Sequence, residues 1–164
     1  MTRRLTALVG VLALGCATPA EAGAPVLPGR GIGAVRLEMT LSDVRAALGE
    51  PRGALVTNRI GFARFDGELE IVFTSPEADT LTDDAIVVGI GASEGADLAG
   101  AVVPGASRAD IEAAMGPAPD VIESLEFYPE GLSLEYDGDV VLRVGVIAPY
   151  ERFAEVPAMT GATR

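Results

Sequence analysis

MTLSDVRAALGEP, residues 39–51, is the stretch on which the fold reading turns. Thr40 stands just before an apolar stripe of Leu41, Val44 and Leu48, and Asp43 comes after it at capping-box distance. Gly49 sits where a helix ends in left-handed backbone, and Pro51 forbids its continuation. Nearly the same device returns as ASRADIEAAMGPAP, residues 106–119. There Ser107, Asp110, Ile111, Met115 and Gly116 take the places of Thr40, Asp43, Val44, Leu48 and Gly49. Helices this short are unstable alone and must lie on something.

The segment after each helix has the pattern of strands. In IGFARFDGELEIVFT (60–74) two runs of β-formers flank Asp66-Gly67, a hairpin signal. LEFYPEGLSLEY (125–136) does the same through Pro129-Glu130-Gly131. Leu69, Ile71 and Phe73 alternate with Glu68 and Glu70, and Leu132, Leu134 and Tyr136 alternate with Ser133 and Glu135, which gives each strand a buried and a wet face. A last strand closes each copy, at 85–92 and at 140–148, and stretches 53–57 and 120–123 are candidates for a fourth.

The expected class is α+β: a tandem duplication of a short helix followed by a three- to four-stranded antiparallel sheet, with the helices packed on one face. The boundaries read as a signal segment at 1–22, a flexible lead-in at 23–35, a first repeat at 36–93, a connection at 94–100, a second repeat at 101–150 and a tail at 151–164. Units of that size bury too little surface to be secure alone, so two packed side by side would share a core.

Composition closes many functional routes. The chain has no His, and all its basic residues are Arg. Histidine-dependent triads and His-ligated metal sites are excluded within this chain, as are a P-loop lysine and a lysine Schiff base. A formal net charge of −12 argues against nucleic acid and against anionic lipid surfaces.

Arg3 and Arg4 followed by LTALVGVLALG (5–15) form a charged n-region and an apolar h-region too short to span a bilayer. Two processing routes fit. Ala20-Glu21-Ala22 suits cleavage before Gly23, and LALGC (12–16) suits a lipobox that would lipidate Cys16, the sole cysteine. The expected location is therefore the periplasm, or the periplasmic side of the outer membrane with the membrane touched only through a lipid on Cys16. A mature domain without a second cysteine has no internal disulfide and depends on packing.

VRLEMTLSDVRAALGEP (35–51) resembles the pattern G-M-T-x-x-x-V-x-x-x-L-G-x-P of exported bacterial modules. It is similar to the small outer-membrane lipoprotein subunit of the β-barrel assembly machinery (the SmpA/OmlA group) and, in tandem form, to the β-lactamase-inhibitor-protein fold. Glu38 departs from that pattern at its glycine, and the second stretch lacks Met-Thr. The resemblance implies a protein that binds proteins through a sheet face and catalyses nothing. The residues it assigns to that face are Glu68, Glu70, Glu126, Ser133, Glu135 and Arg143, with Phe65 and Tyr128 as aromatic anchors.

Other motifs carry less. GRGIGA (29–34) has dinucleotide-type glycine spacing but no helix signal directly after it. Glu77, Asp79, Asp83 and Asp84 lie in one acidic loop whose spacing does not match an EF-hand. Glu68 with Glu70, and Glu135 with Asp137, are carboxylate pairs of the kind that acid–base hydrolysis uses. The functional expectation is a non-catalytic cell-envelope module that contacts another envelope protein, with no cofactor and no metal. The alternative is a carboxylate-based hydrolase or a Ca²⁺-binding module.

Overall fold

The computed structural model describes residues 23–98 and 104–148. Among these residues the two helices are α1 (Leu41–Leu48) and α2 (Arg108–Met115). The Thr40 hydroxyl accepts from the Asp43 N–H at 3.1 Å while the Asp43 carboxylate accepts from the Thr40 N–H at 3.0 Å, so the capping box is complete. Ser107 caps α2 through the Asp110 N–H at 3.2 Å. Gly49 and Gly116 end the helices at φ 84° and 81°. Glu38, in the position that the resemblance pattern gives to glycine, is itself left-handed at φ 72°.

Strand dominates the rest. Among the described residues twelve strands run β1 (Ala24–Leu27), β2 (Gly31–Ile32), β3 (Val35–Arg36), β4 (Gly53–Thr57), β5 (Ile60–Phe65), β6 (Leu69–Thr74), β7 (Ile86–Ala92), β8 (Ala96–Asp97), β9 (Asp120–Ile122), β10 (Leu125–Tyr128), β11 (Leu132–Asp137) and β12 (Val140–Ile147). Eight of them form one sheet in the order β4-β5-β6-β7-β12-β11-β10-β9, antiparallel throughout. A smaller sheet, β3-β2-β1-β8, is mixed, because β1 and β8 run parallel.

The expected α+β class is therefore corrected to a mostly β protein. Two helices of eight residues each are minor beside twelve strands, and the sheets are not two units each with a helix laid on one face. The physical reason lies in β7 and β12. Both are close to continuously apolar, the signature of central strands, and they pair with each other from Val144↔Ala92 to Ile147↔Gly89. A second reason is the segment read as a lead-in. Its Gly and Pro residues suggest a loop, yet Val26, Ile32 and Val35 are at most 3% exposed and belong to the main core. Residues read as a connection supply β8.

The core contains Val44 of α1 and Ile111 of α2, both fully buried, with Phe65, Ile71, Phe73, Ile90, Leu132, Leu134, Val144 and Val146 from the strands. Directly paired residues set the facing. Ala63, Ile71, Ile90, Val146, Leu132 and Tyr128 form one row across the sheet and are all buried. The neighbouring row, Arg64, Glu70, Gly91, Gly145, Ser133 and Phe127, has the opposite facing and forms an outer face.

Candidate functional site

Charged side chains cross this outer face as a row. Arg64 Nε lies 3.2 Å from Glu70 Oε2, Arg143 Nη1 lies 3.4 Å from Glu70 Oε1, and the same Nη1 lies 3.6 Å from Glu135 Oε2. Two arginines and two glutamates thus neutralise each other across β5, β6, β12 and β11. Glycines make the row possible. A Cβ on Gly91 would come within 2.9 Å of Arg143 Cδ, so the glycine leaves the room in which that side chain lies across β7 towards Glu70. A Cβ on Gly145 would meet Ser133 Oγ at 2.3 Å.

Two shallow hollows flank the row. One, of about 180 Å³, has Gly89, Gly91 and Gly145 at its floor and Val72, Leu125 and Ile147 among its walls. The other, of about 510 Å³, is bordered by Arg52, Arg64, Glu68, Glu70, Ser93 and Arg143. Apolar side chains continue the face on either side: exposed Leu55 opposite Phe62, and exposed Ile122 opposite the half-buried Leu125.

Of the residues expected on this face, Glu70, Ser133, Glu135 and Arg143 do come together at the smaller hollow. Glu68 sits in the β5–β6 turn at φ 55° and borders the larger hollow. Glu126 is a correction. It pairs with Leu134 across β10 and β11, faces the core and is 3% exposed. Phe65 and Tyr128 are also core residues, at 2% and 6% exposure, so neither is an anchor on the outer face. Alternation alone did not reveal the row's other members, Arg64 and the glycines. Leu125-Glu126-Phe127-Tyr128 carries apolar residues at both parities, so only the register fixes its facing. The three-residue turn at 129–131 is the usable signal, because it sets Tyr128 opposite Leu132 and hence Glu126 opposite Leu134.

Glu126 belongs instead to a buried polar cluster. Its carboxylate is ion-paired and hydrogen-bonded to Arg108, the first residue of α2, and accepts from the Tyr128 hydroxyl at 3.3 Å. The Arg108 guanidinium stacks 4.0 Å above the Tyr136 ring. Burial, reinforced by the Glu126 charge, pushes the Tyr128 phenol up to about 12 and raises that of Tyr136 as well. The Tyr136 hydroxyl is near enough to feel Glu126 but makes no hydrogen bond of ordinary geometry among the described residues. At the positions before and along β4–β7 that match by register, the chain has Leu41, Ala63, Phe65 and Phe73, all buried. Arg108, Glu126, Tyr128 and Tyr136 therefore occupy core places that are wholly apolar elsewhere in the same molecule.

The remaining sequence candidates are dispersed. Gly31–Ile32 and Val35–Arg36 are strands with no helix immediately after them, so the backbone context of a dinucleotide fingerprint is missing. In the acidic loop Asp83 pairs with Arg45, and Asp84 accepts from the Thr82 hydroxyl at 2.6 Å. Among the described residues no group of three or more His, Cys, Asp or Glu side chains is arranged to hold a metal ion. No described helix is long and apolar enough to cross a membrane. Residues 1–22, with Cys16, and the tail lie outside the described residues.

The chain matches no protein-family model, no curated protein and no solved structure.

Proposed function

We propose that this protein is an exported, non-catalytic cell-envelope module that contacts another protein through the outer face of its eight-stranded sheet. The observation that carries the proposal is the charge row over a glycine floor. Glu70 and Glu135 are both engaged by Arg143, in an open hollow bordered by apolar side chains. Carboxylates spread across strands and paired with arginine suit complementary contact, in which charges set orientation and apolar neighbours supply burial. Acid–base catalysis instead needs two carboxylates converging on a substrate-sized cleft. The leader at 1–22 and the LALGC stretch support export and anchoring, and the resemblance to the SmpA/OmlA and inhibitor-like groups points the same way.

The test is capture of a partner from envelope extract by the wild-type protein, Glu70→Ala, Arg143→Ala and Glu135→Ala. The face reading expects capture to fall at least tenfold in the variants while their melting stays near wild type. Capture that is indifferent to all three would remove the outer face from consideration.

A further inference from the structure

The two ends of the large sheet are built differently. β9 is three residues long, begins with Asp120 and is followed by Glu123, so charge and shortness guard that edge. β4, Gly-Ala-Leu-Val-Thr, is five residues long with no charge and no proline, and four of the five are exposed. Leu55 is 65% exposed, and its cross-strand partner Phe62 is 37% exposed.

The turn after β4 fixes which backbone groups point outwards. Asn58 and Arg59 have φ 49° and 68°, which makes a two-residue turn of the primed type closed by Thr57↔Ile60. The closing pair of such a hairpin is hydrogen-bonded, and bonding alternates from there. Thr57, Leu55 and Gly53 therefore turn their N–H and C=O groups to β5. Those of Ala54 and Val56 point away from the sheet, where no strand among the described residues meets them.

We infer that β4 is a self-pairing edge, and that two copies of the chain join through it as a closed antiparallel dimer. With Leu55 opposite the second copy's Leu55, Ala54 lies opposite the second copy's Val56. All four outward backbone groups of each strand are then satisfied across the two-fold axis. Leu55 and Phe62 of both copies merge into one apolar cluster on the outer face of a continuous sheet.

Charge favours a second copy in this register. Two chains of net charge −12 repel, and β4 is a stretch where that repulsion is small: it has no charge itself, and Arg52 and Arg64 beside it are balanced by Asp66 and Glu70. The register also sets Arg59 next to the second copy's Glu50, whose side chain is 75% exposed and pairs with its own Arg45 at 3.0 Å, so one carboxylate would be shared by two arginines on each side of the axis. Because β9 is guarded, the pairing closes at two copies and does not grow into a fibre. One short strand per copy makes a small interface, so the dimer is weak and depends on concentration.

Sedimentation equilibrium of the full chain tests this over a hundredfold range of concentration. The expected result is an average mass rising from one chain towards two. Leu55→Lys and Val56→Pro should weaken association at least tenfold with circular dichroism melting retained, since β4 is exposed and an edge strand tolerates proline. Val121→Lys on the opposite edge should associate as wild type does. In a Cys16→Ser background, Leu55→Cys should form a disulfide-linked dimer on mild oxidation, because directly opposed non-hydrogen-bonded residues lie within disulfide reach. A single-chain mass at every concentration overturns the inference. So does association that survives Leu55→Lys and Val56→Pro, or that is lost in Val121→Lys.

Discussion

Replacing Arg108 and Glu126 together by the residues at the matching apolar positions, leucine and alanine, should restore most of what Arg108→Leu alone removes. Arg108→Leu leaves the Glu126 carboxylate unpaired at 4% side-chain exposure. An uncompensated buried charge costs about 3–5 kcal/mol, a large share of the roughly 5–15 kcal/mol that holds a domain folded. Glu126→Ala costs less, about 1–2 kcal/mol, because the Arg108 side chain is already 33% exposed and has Asp139 within 3.9 Å. In the double variant both desolvated charges are gone. Leu41 and Ala63 fill these places in the matching core, where Phe65 and Phe73 stand instead of Tyr128 and Tyr136 and have no hydroxyl to satisfy. The double variant still takes the acceptor from the buried Tyr128 hydroxyl, so it should fall about 1–2 kcal/mol below wild type, with a coupling of about 3–5 kcal/mol. Urea denaturation of the four proteins, followed by far-ultraviolet circular dichroism, gives the cycle. A double variant destabilised by the sum of the two single changes would disprove the coupling, because the two side chains would then act independently of each other.

Stability should decline between pH 10 and about 12, because the neutral Tyr128 phenol is favoured by folding. Its raised pKa gives stability that is present below pH 10 and lost as pH rises through the folded value. The chain has no lysine to titrate in that window, and the raised Tyr136 phenol acts in the same sense, so Tyr128→Phe should flatten about half of the fall and the double Tyr128→Phe, Tyr136→Phe change most of it, in a thermal-melting series against pH. Val44→Asp and Ile111→Asp, both at fully buried positions, should each cost several kcal/mol and abolish cooperative melting, whereas Glu135→Ala on the outer face should stay within about 1 kcal/mol. Thr40→Ala removes the hydroxyl that accepts from the Asp43 N–H and should lower stability by about 1 kcal/mol in urea titration.

Local chemistry was legible, and long-range pairing was not. Caps at Thr40 and Ser107, stops at Gly49 and Gly116, and hairpin turns at Asp66-Gly67 and 129–131 are short-range rules, and the chain obeys them. Glu70, Ser133 and Glu135 share a face because period-two alternation holds within β6 and β11. The pairing of β7 with β12 has no local signal, since either edge of an apolar strand can accept a neighbour. Irregularities between Val72 and Phe73 and between Glu135 and Tyr136 also shift the parity that alternation assumes. Segment 23–35 misleads for another reason: glycine and proline mark turns, and here the turns lie between very short strands whose Ile32 and Val35 reach the core.

Site-specific photo-crosslinking in envelope preparations puts the sheet-face assignment to the strictest test. A photoreactive residue is placed at Val72, Glu135 or Ile147 on the outer face, and for contrast at Glu112 on the exposed side of α2. A protein-binding sheet face predicts one discrete adduct, of the same mass, from all three sheet positions and none from position 112. An adduct from position 112 alone, with the sheet positions silent, would overturn that assignment and move the contact surface to α2.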